Sequence, residues 1–437
     1  MRTLLLFLLL PILDLSQKSF GNDDPRPTAA AAVEEAHRVL WERFFDPHDT
    51  MLDYTDLSGE WSAPTPDECR ENKPNALAWW MPNENGAMFN GLYLDAMLQR
   101  WPLSGSEADK EKCRRLVAGL RFLSGVSETP GFIARGVASD DKTVYALGSN
   151  DQTFPWFYGL WRYVTSEIPS EEERAEIIRE MGEVARILQG HQWRMPSARP
   201  PFQFRGTFGP ITWEASPRIL FLFRALHQLT GEDEWEEFYQ EYLEQKNSET
   251  GATRREICAQ GMVFHSNYPH SWTGSVSVCA LRGLWEMETD EELREEYARG
   301  LRASAELAIQ SIELFQQFEV DSGSLFESDW RKLNRWWKPQ TSAPAAVEVA
   351  KEQLQNLHRI SPRRREEARF VREPLFAAWV VSLCPDEEFV SEYQGLIEDA
   401  IRHYDYERLY LSQFFPAENA WYRLKMAVAS EGESSEE

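Results

Sequence analysis

Two kinds of helical segment alternate along the chain. In the first, apolar residues recur on one face: Val33, Ala36, Leu40 and Phe44 over 33–45, Leu116, Leu120 and Leu123 over 108–123, and Ile177, Met181, Val184 and Leu188 over 170–189. The segments 232–242, 290–315 and 386–404 repeat this pattern. In the second kind there is almost no polar face. Segment 86–101 is one such stretch, and others begin near 152, 214, 273, 373 and 417. A helix that is apolar on all sides has to be covered on all sides, so these six are interior. The pattern predicts twelve helices in six hairpins, each with one exposed and one interior partner. The fold class expected is all-α, an (α/α)6 toroid, with 22–430 as a single domain and a long insertion at 319–372. An open helical solenoid also stacks helix pairs, but it does not require interior helices that are apolar all round.

The connections into the interior helices are the long ones, and each ends in polar and aromatic residues. The first reads Trp79, Trp80, Met81, Pro82, Asn83, Glu84, Asn85; the second Ser149, Asn150, Asp151, Gln152; the third Thr212, Trp213, Glu214. The fourth runs from His265 through Tyr268 and His270 to Trp272, the fifth is Arg372-Glu373, and the sixth carries Glu418 and Asn419. In a toroid these six mouths meet at one end and form a cleft. Helix capping accounts for Asn, Asp, Ser or Glu at any one mouth. It does not account for tryptophan at three of the six, Trp79 and Trp80, Trp213 and Trp272.

Composition sharpens this picture. The chain has 437 residues, including 17 Trp, 24 Phe and 14 Tyr, and many of the tryptophans lie in polar loops, where a ring face offers a stacking platform for a sugar. The net charge of -25 disfavours nucleic acid and anionic membranes as partners. Residues 1–21 read as a secretory signal rather than a membrane anchor, because Asp14 ends the apolar run short of a span. A secreted or periplasmic location follows as an expectation. Residues 431–437 read as a solvated acidic tail. The five cysteines have no CxxC spacing; one bridge is open, and Cys279 and Cys384 read as buried thiols. No cofactor motif and no metal spacing is present.

Two local stretches, Gly131-Phe132-Ile133-Ala134-Arg135-Gly136 followed by Ser149 to Gln152, and the opening Asn83-Glu84-Asn85-Gly86 with Asn90-Gly91, make the chain resemble the six-hairpin glycosidase superfamily. The resemblance spans about residues 30–430. It implies a carbohydrate-active protein, and the two stretches are similar to segments of members acting on uronic-acid-containing or complex polysaccharides. The same fold also hosts polysaccharide lyases and sugar epimerases.

Glycoside hydrolysis needs one protonated and one ionised carboxyl group across the scissile bond. Asp151 is the candidate general acid/base, with Glu84 or Glu214 as its partner. Phe154 and Trp156 nearby would raise the Asp151 pKa, whereas its place at a helix N-terminus would lower it. Arg135 and Arg205 are candidate carboxylate binders. Trp79, Trp80, Asn83, Asn85, Asn150, Gln152, Trp213 and Trp272 complete the expected substrate cleft. A lyase would instead use His265, Tyr268 or His270 as base, with Arg135 neutralising the substrate carboxylate. Two basic clusters in the insertion, 332–337 and 363–365, are further candidates for an anionic glycan, and Trp336 and Trp337 strengthen the first. A non-catalytic glycan-binding protein is the third reading.

Overall fold

The computed structural model describes residues 26–264 and 269–434. The expected signal at 1–21, the candidates His265 and Tyr268, and the end of the acidic tail lie outside the described residues. Among the described residues, twelve helices build the ring: α1 (Ala29–Arg43), α2 (Gly86–Ser104), α3 (Glu107–Gly125), α4 (Asn150–Val164), α5 (Glu171–Gly190), α6 (Ser216–Thr230), α7 (Asp233–Leu243), α8 (Ser271–Met287), α9 (Glu291–Ile312), α10 (Glu373–Ser382), α11 (Glu387–Ile401) and α12 (Pro416–Ser434). The last of these runs on into the stretch expected to be a tail.

The even-numbered helices touch in the order α2, α4, α6, α8, α10 and α12, and α12 returns to α2. That closure distinguishes a toroid from an open solenoid. The odd-numbered helices pack outside: α3 on α2 and α4, α5 on α4 and α6, α9 on α8 and α10. The sequence pattern explains the division. Every residue of α10 is buried, as is every residue of α4 from Gln152 to Trp161. In α5 only Ile177, Met181, Gly182, Ala185 and Leu188 are buried, one stripe facing the ring. Val184 sits half-buried at the edge of that stripe. Each large apolar side chain withdrawn from water contributes roughly 1.5–3 kcal/mol, so a helix buried on all faces is held by its neighbours rather than by its own propensity.

Four of the six outer helices begin with a side-chain cap, whereas Ser106 and Glu232 before α3 and α7 make none. Thr28, Ser170, Asp290 and Asp386 cap α1, α5, α9 and α11 with their side chains. The residues preceding α2, α4, α6, α8 and α10 make no such bond. The polar residues at these inner mouths therefore do something other than capping.

Two additions shape the mouth end. A hairpin pairs Arg194–Pro196 with Phe204–Thr207 and carries Arg205. The 319–372 insertion holds a helix, Ala343–Ile360, then Pro362–Glu367, and a π-helical turn, Ala368–Arg372, that leads into α10. Its long helix lies against the first mouth: the Trp80 indole N–H donates to the Ala350 carbonyl at 2.9 Å, and Asn75 Nδ2 donates to Gln353 at 2.8 Å. All five cysteines are buried free thiols. Among the described residues, no helix is long and apolar enough to cross a membrane.

The tightest inner contact is between α2 and α4. A Cβ on Gly91 would stand 2.0 Å from the Pro155 carbonyl oxygen, so only glycine admits this approach. Gly91→Ala is expected to lower stability by about 1–3 kcal/mol through overpacking, read from the urea midpoint. A change within about 0.5 kcal/mol, the range of an ordinary surface substitution, would show that the two helices can slide apart.

Candidate functional site

The inner mouths surround a cavity of about 580 Å³. Its wall takes Trp79, Trp80, Glu84 and Asn85 from the first mouth, Asp151 from the second, His270, Trp272 and Thr273 from the fourth, and Gln413 from the sixth. Asp53 and Arg205 come from connecting loops, and the insertion supplies Leu354, Leu357, His358, Arg364 and Arg372.

A closed belt of polar contacts holds these mouths in place. Gln152 Nε2 donates to Asn85 Oδ1 at 3.0 Å, and Asn85 Nδ2 donates to Asp53 Oδ1 at 2.7 Å. Gln413 Nε2 reaches the same Asp53 oxygen at 3.3 Å, and its own Oε1 accepts from Arg372 Nη1 at 3.1 Å. The neighbouring Glu373 accepts the Ser271 backbone N–H at 2.6 Å. Ser277 on α8 donates to the Glu214 carbonyl at 3.2 Å and accepts from Arg218 Nε at 3.0 Å. Arg218 Nη1 then meets Asp151 at 2.9 Å. The belt links the second, first, sixth, fifth, fourth and third mouths and returns to the second.

The three carboxyl groups in the cavity differ in state. Burial would raise Asp151, but Arg218, Arg205 and Arg135 outweigh it and hold the carboxyl below its ordinary value. Asp151 also keeps 42 % of its side chain exposed, whereas Arg218 beneath it keeps 2 %. It is an ionised group open to the cleft. Trp156 is fully buried outside the cavity lining, with its indole N–H donating to the Leu120 carbonyl at 3.1 Å. Glu84 goes the other way: burial raises it, and Arg135, Arg364 and the Trp80 N–H only partly offset that. Its Oε2 accepts that N–H at 2.6 Å and so holds Trp80 in a left-handed backbone conformation, φ 76°. A bulky residue in that region stores strain, and such strain gathers at functional sites. Burial and the charge of Glu84 push Asp53 well above the ordinary range.

Against these stand four lining arginines. Arg135 holds the protein together: its guanidinium donates to the Leu147 and Glu84 carbonyls and to Ser149 Oγ at 3.1–3.3 Å. These bonds use three of its five N–H donors, and the side chain also lines the cavity. Arg205 and Arg372 each lie over a tryptophan ring, Trp79 and Trp272, and burial pushes each guanidinium down to about 10. Arg364 lies over Tyr54. His358 is lowered by burial and by Arg365, Arg364 and Arg372, so its imidazole is neutral near pH 7.

Several expected site residues lie elsewhere. Glu214 and Trp213 do not line the cavity: Glu214 contributes its backbone carbonyl to the belt, and Trp213 is buried. Asn83 is buried with its Nδ2 on the Val137 carbonyl, Gln152 is buried in the belt, and Asn150 lies outside the lining. Trp336 and Trp337 are also outside it. The Trp337 indole N–H donates to the Asn72 carbonyl at 3.0 Å, which packs the insertion onto that loop. Of the two basic clusters, only 363–365 reaches the cavity, through Arg364. Asp53, His358 and Arg218 were not anticipated. Asp53 and His358 belong to no helix mouth in sequence, and Arg218 lies inside an apolar helix.

Asp151→Asn leaves the buried Arg218 without a counter-charge while Ser277 still accepts from it. The pair is half-exposed, so a loss of about 1–2 kcal/mol is expected near pH 7, between the surface and buried extremes. The native pKa is depressed, so this stabilisation is full above the ordinary value of 3.8 and disappears as pH falls through the lower folded value. Urea midpoints of wild type and variant should therefore converge in acid. A constant gap down to pH about 2 would contradict the pairing.

Neither a family model nor a curated protein matches this chain. Among solved structures it is similar to a glycoside hydrolase family 76 mannosidase from Bacteroides thetaiotaomicron VPI-5482, at 10% identity over 92% of this chain and 99% of that one, with a TM-score of 0.44. It is also similar to a sugar epimerase from a ruminal bacterium, at 10% identity over 79% and 85% of the two chains, with a TM-score of 0.37. The toroid described above stands on the helix contacts of this chain alone.

Proposed function

We propose that the protein is a glycoside hydrolase acting on an acidic, uronate-bearing poly- or oligosaccharide. The observation that carries this reading is the opposite displacement of two carboxyl groups in one cleft: Glu84 raised, Asp151 lowered. Environments that push two carboxyls apart define an acid and a base. Glu84 donates its proton to the leaving glycosidic oxygen. Asp151, ionised, activates water or attacks the anomeric carbon. Glu84 thus takes the acid role that the sequence assigned to Asp151. Trp79, Trp80 and Trp272 offer faces for the sugar rings. The acidic character of the substrate is supported by Arg205, Arg364 and Arg372, which place positive charge on the wall of a strongly negative protein. The signal-like stretch at 1–21 supports action outside the cytoplasm.

One observation favours a second reading. His358 is a neutral imidazole beside Arg364, which is the arrangement a lyase needs to take the proton alpha to a neutralised uronate. Incubation with uronate-containing oligosaccharides separates the readings. A hydrolase raises reducing ends without new ultraviolet absorbance, and a lyase creates an absorbing double bond. Binding without turnover marks a glycan-binding protein.

Glu84→Gln is expected to lower kcat/KM by about 10²–10⁴. In the wild type, activity needs Glu84 protonated and Asp151 ionised. The profile should rise through an acidic limb below the ordinary aspartate value and fall through an alkaline limb above the ordinary glutamate value of 4.5. An alkaline limb that survives in Glu84→Gln would remove Glu84 from the acid role.

A further inference from the structure

In the ring order of the mouths, Glu84 at the first stands between two cationic arms, Arg205 bonded to Gly148 at the second and Arg372 at the fifth. On one side the Arg205 guanidinium stands 5.3 Å from the Trp79 ring centroid, and Asp151 is held by Arg218, Arg205 and Arg135. On the other, the Arg372 guanidinium stands 4.3 Å from the Trp272 ring centroid, and its charge is felt alongside Glu84, Arg364 and Asp53. The arms come from different parts of the chain, a hairpin before α6 and the π-helical turn before α10.

Both arms keep donors in reserve. Among the described residues, Arg205 gives one hydrogen bond, from Nη1 to the Gly148 carbonyl at 3.1 Å. Arg372 gives Nη1 to Gln413 at 3.1 Å, and its buried Nε meets no acceptor. Arg364 next to it gives Nη1 to the Trp80 carbonyl at 3.3 Å. Glu373 is the strongest charge partner of Arg372, and its two oxygens accept the Ser271 and Trp272 backbone N–H groups at 2.6 and 3.4 Å. Asp151 already has Arg218 beneath it, and burial favours the neutral forms of Asp53 and Glu84. A guanidinium stacked on an indole still presents its N–H edge, the geometry that meets a carboxylate or sulfate with paired hydrogen bonds. An anion on one arm leaves the other arm unmatched, because the proton donor stands between them.

We propose that Arg205 with Trp79, and Arg372 and Arg364 with Trp272, form two separate anion subsites on either side of Glu84, so that the substrate carries an acidic group on both sugar residues flanking the cleaved bond. This rests on Glu84 being the proton donor.

The test uses binding, so that it does not depend on turnover. Four disaccharides are titrated calorimetrically into the full chain: cellobiose, a glucuronosyl-glucose, a glucosyl-glucuronate and a diglucuronate. Each acidic group is expected to tighten binding by about tenfold or more, with the diglucuronate tightest. Arg205→Gln should remove the gain from one mono-acidic disaccharide and Arg372→Gln the gain from the other. Arg205→Lys and Arg372→Lys, which keep the charge, should restore part of each. A diglucuronate that binds no tighter than either mono-acidic disaccharide in the wild type overturns the proposal without any substitution. Arginine variants that weaken both mono-acidic disaccharides equally also overturn it. Selective binding of the diglucuronate with no release of reducing ends would leave the two subsites standing and remove the hydrolase reading instead.

Discussion

The polar belt at the inner mouths is the constraint on which the rest of this structure depends. Six helices that are apolar on nearly every face pack by burial, and burial has no direction. It does not set how far each helix slides along its neighbour. Hydrogen bonds do, because a buried donor or acceptor left unmatched costs about 1–3 kcal/mol. The run from Gln152 through Asn85, Asp53 and Gln413 to Arg372 fixes four mouths in register. Glu373, Ser277 and Arg218 close the remaining gaps. The cleft has a defined shape because its rim is cross-linked in this way.

The same belt sets the charge states. Arg218 is buried inside α6 and reaches Asp151 across the gap between mouths, so that carboxyl stays ionised although it faces open space. Glu84 and Asp53 sit one mouth away and are more deeply buried, and burial raises both. Opposite states of neighbouring carboxyls thus arise from where each helix begins rather than from the residue type. Arg205, Arg364 and Arg372 place positive charge on the cavity wall.

Parts of the site were legible because they depend on local pattern. Asp151, Glu84, Trp79, Trp80, Trp272 and His270 stand just before apolar helices, and all six line the cavity. Glu214 satisfies the same pattern and is not among the lining residues, although its carbonyl accepts from Ser277. Trp336 and Trp337 stand beside a basic cluster but outside the cavity lining, and Trp337 packs the insertion against the 72–73 loop. Asp53 had no local signal at all. It enters the site by bonding Asn85 from a loop whose sequence neighbours carry no helix pattern.

The sequence by itself determined the all-α class, the alternation of exposed and interior helices, and the end at which polar and aromatic residues gather. These follow from periodicity, and periodicity is a property of neighbouring residues. Only the tertiary structure decided which of those residues meet, which carboxyl is raised and which lowered, and where the insertion lies. Protonation and ion pairing depend on through-space distance and burial, and Arg218 with Asp151, or Asp53 with Glu84, are brought together by the closing of the ring.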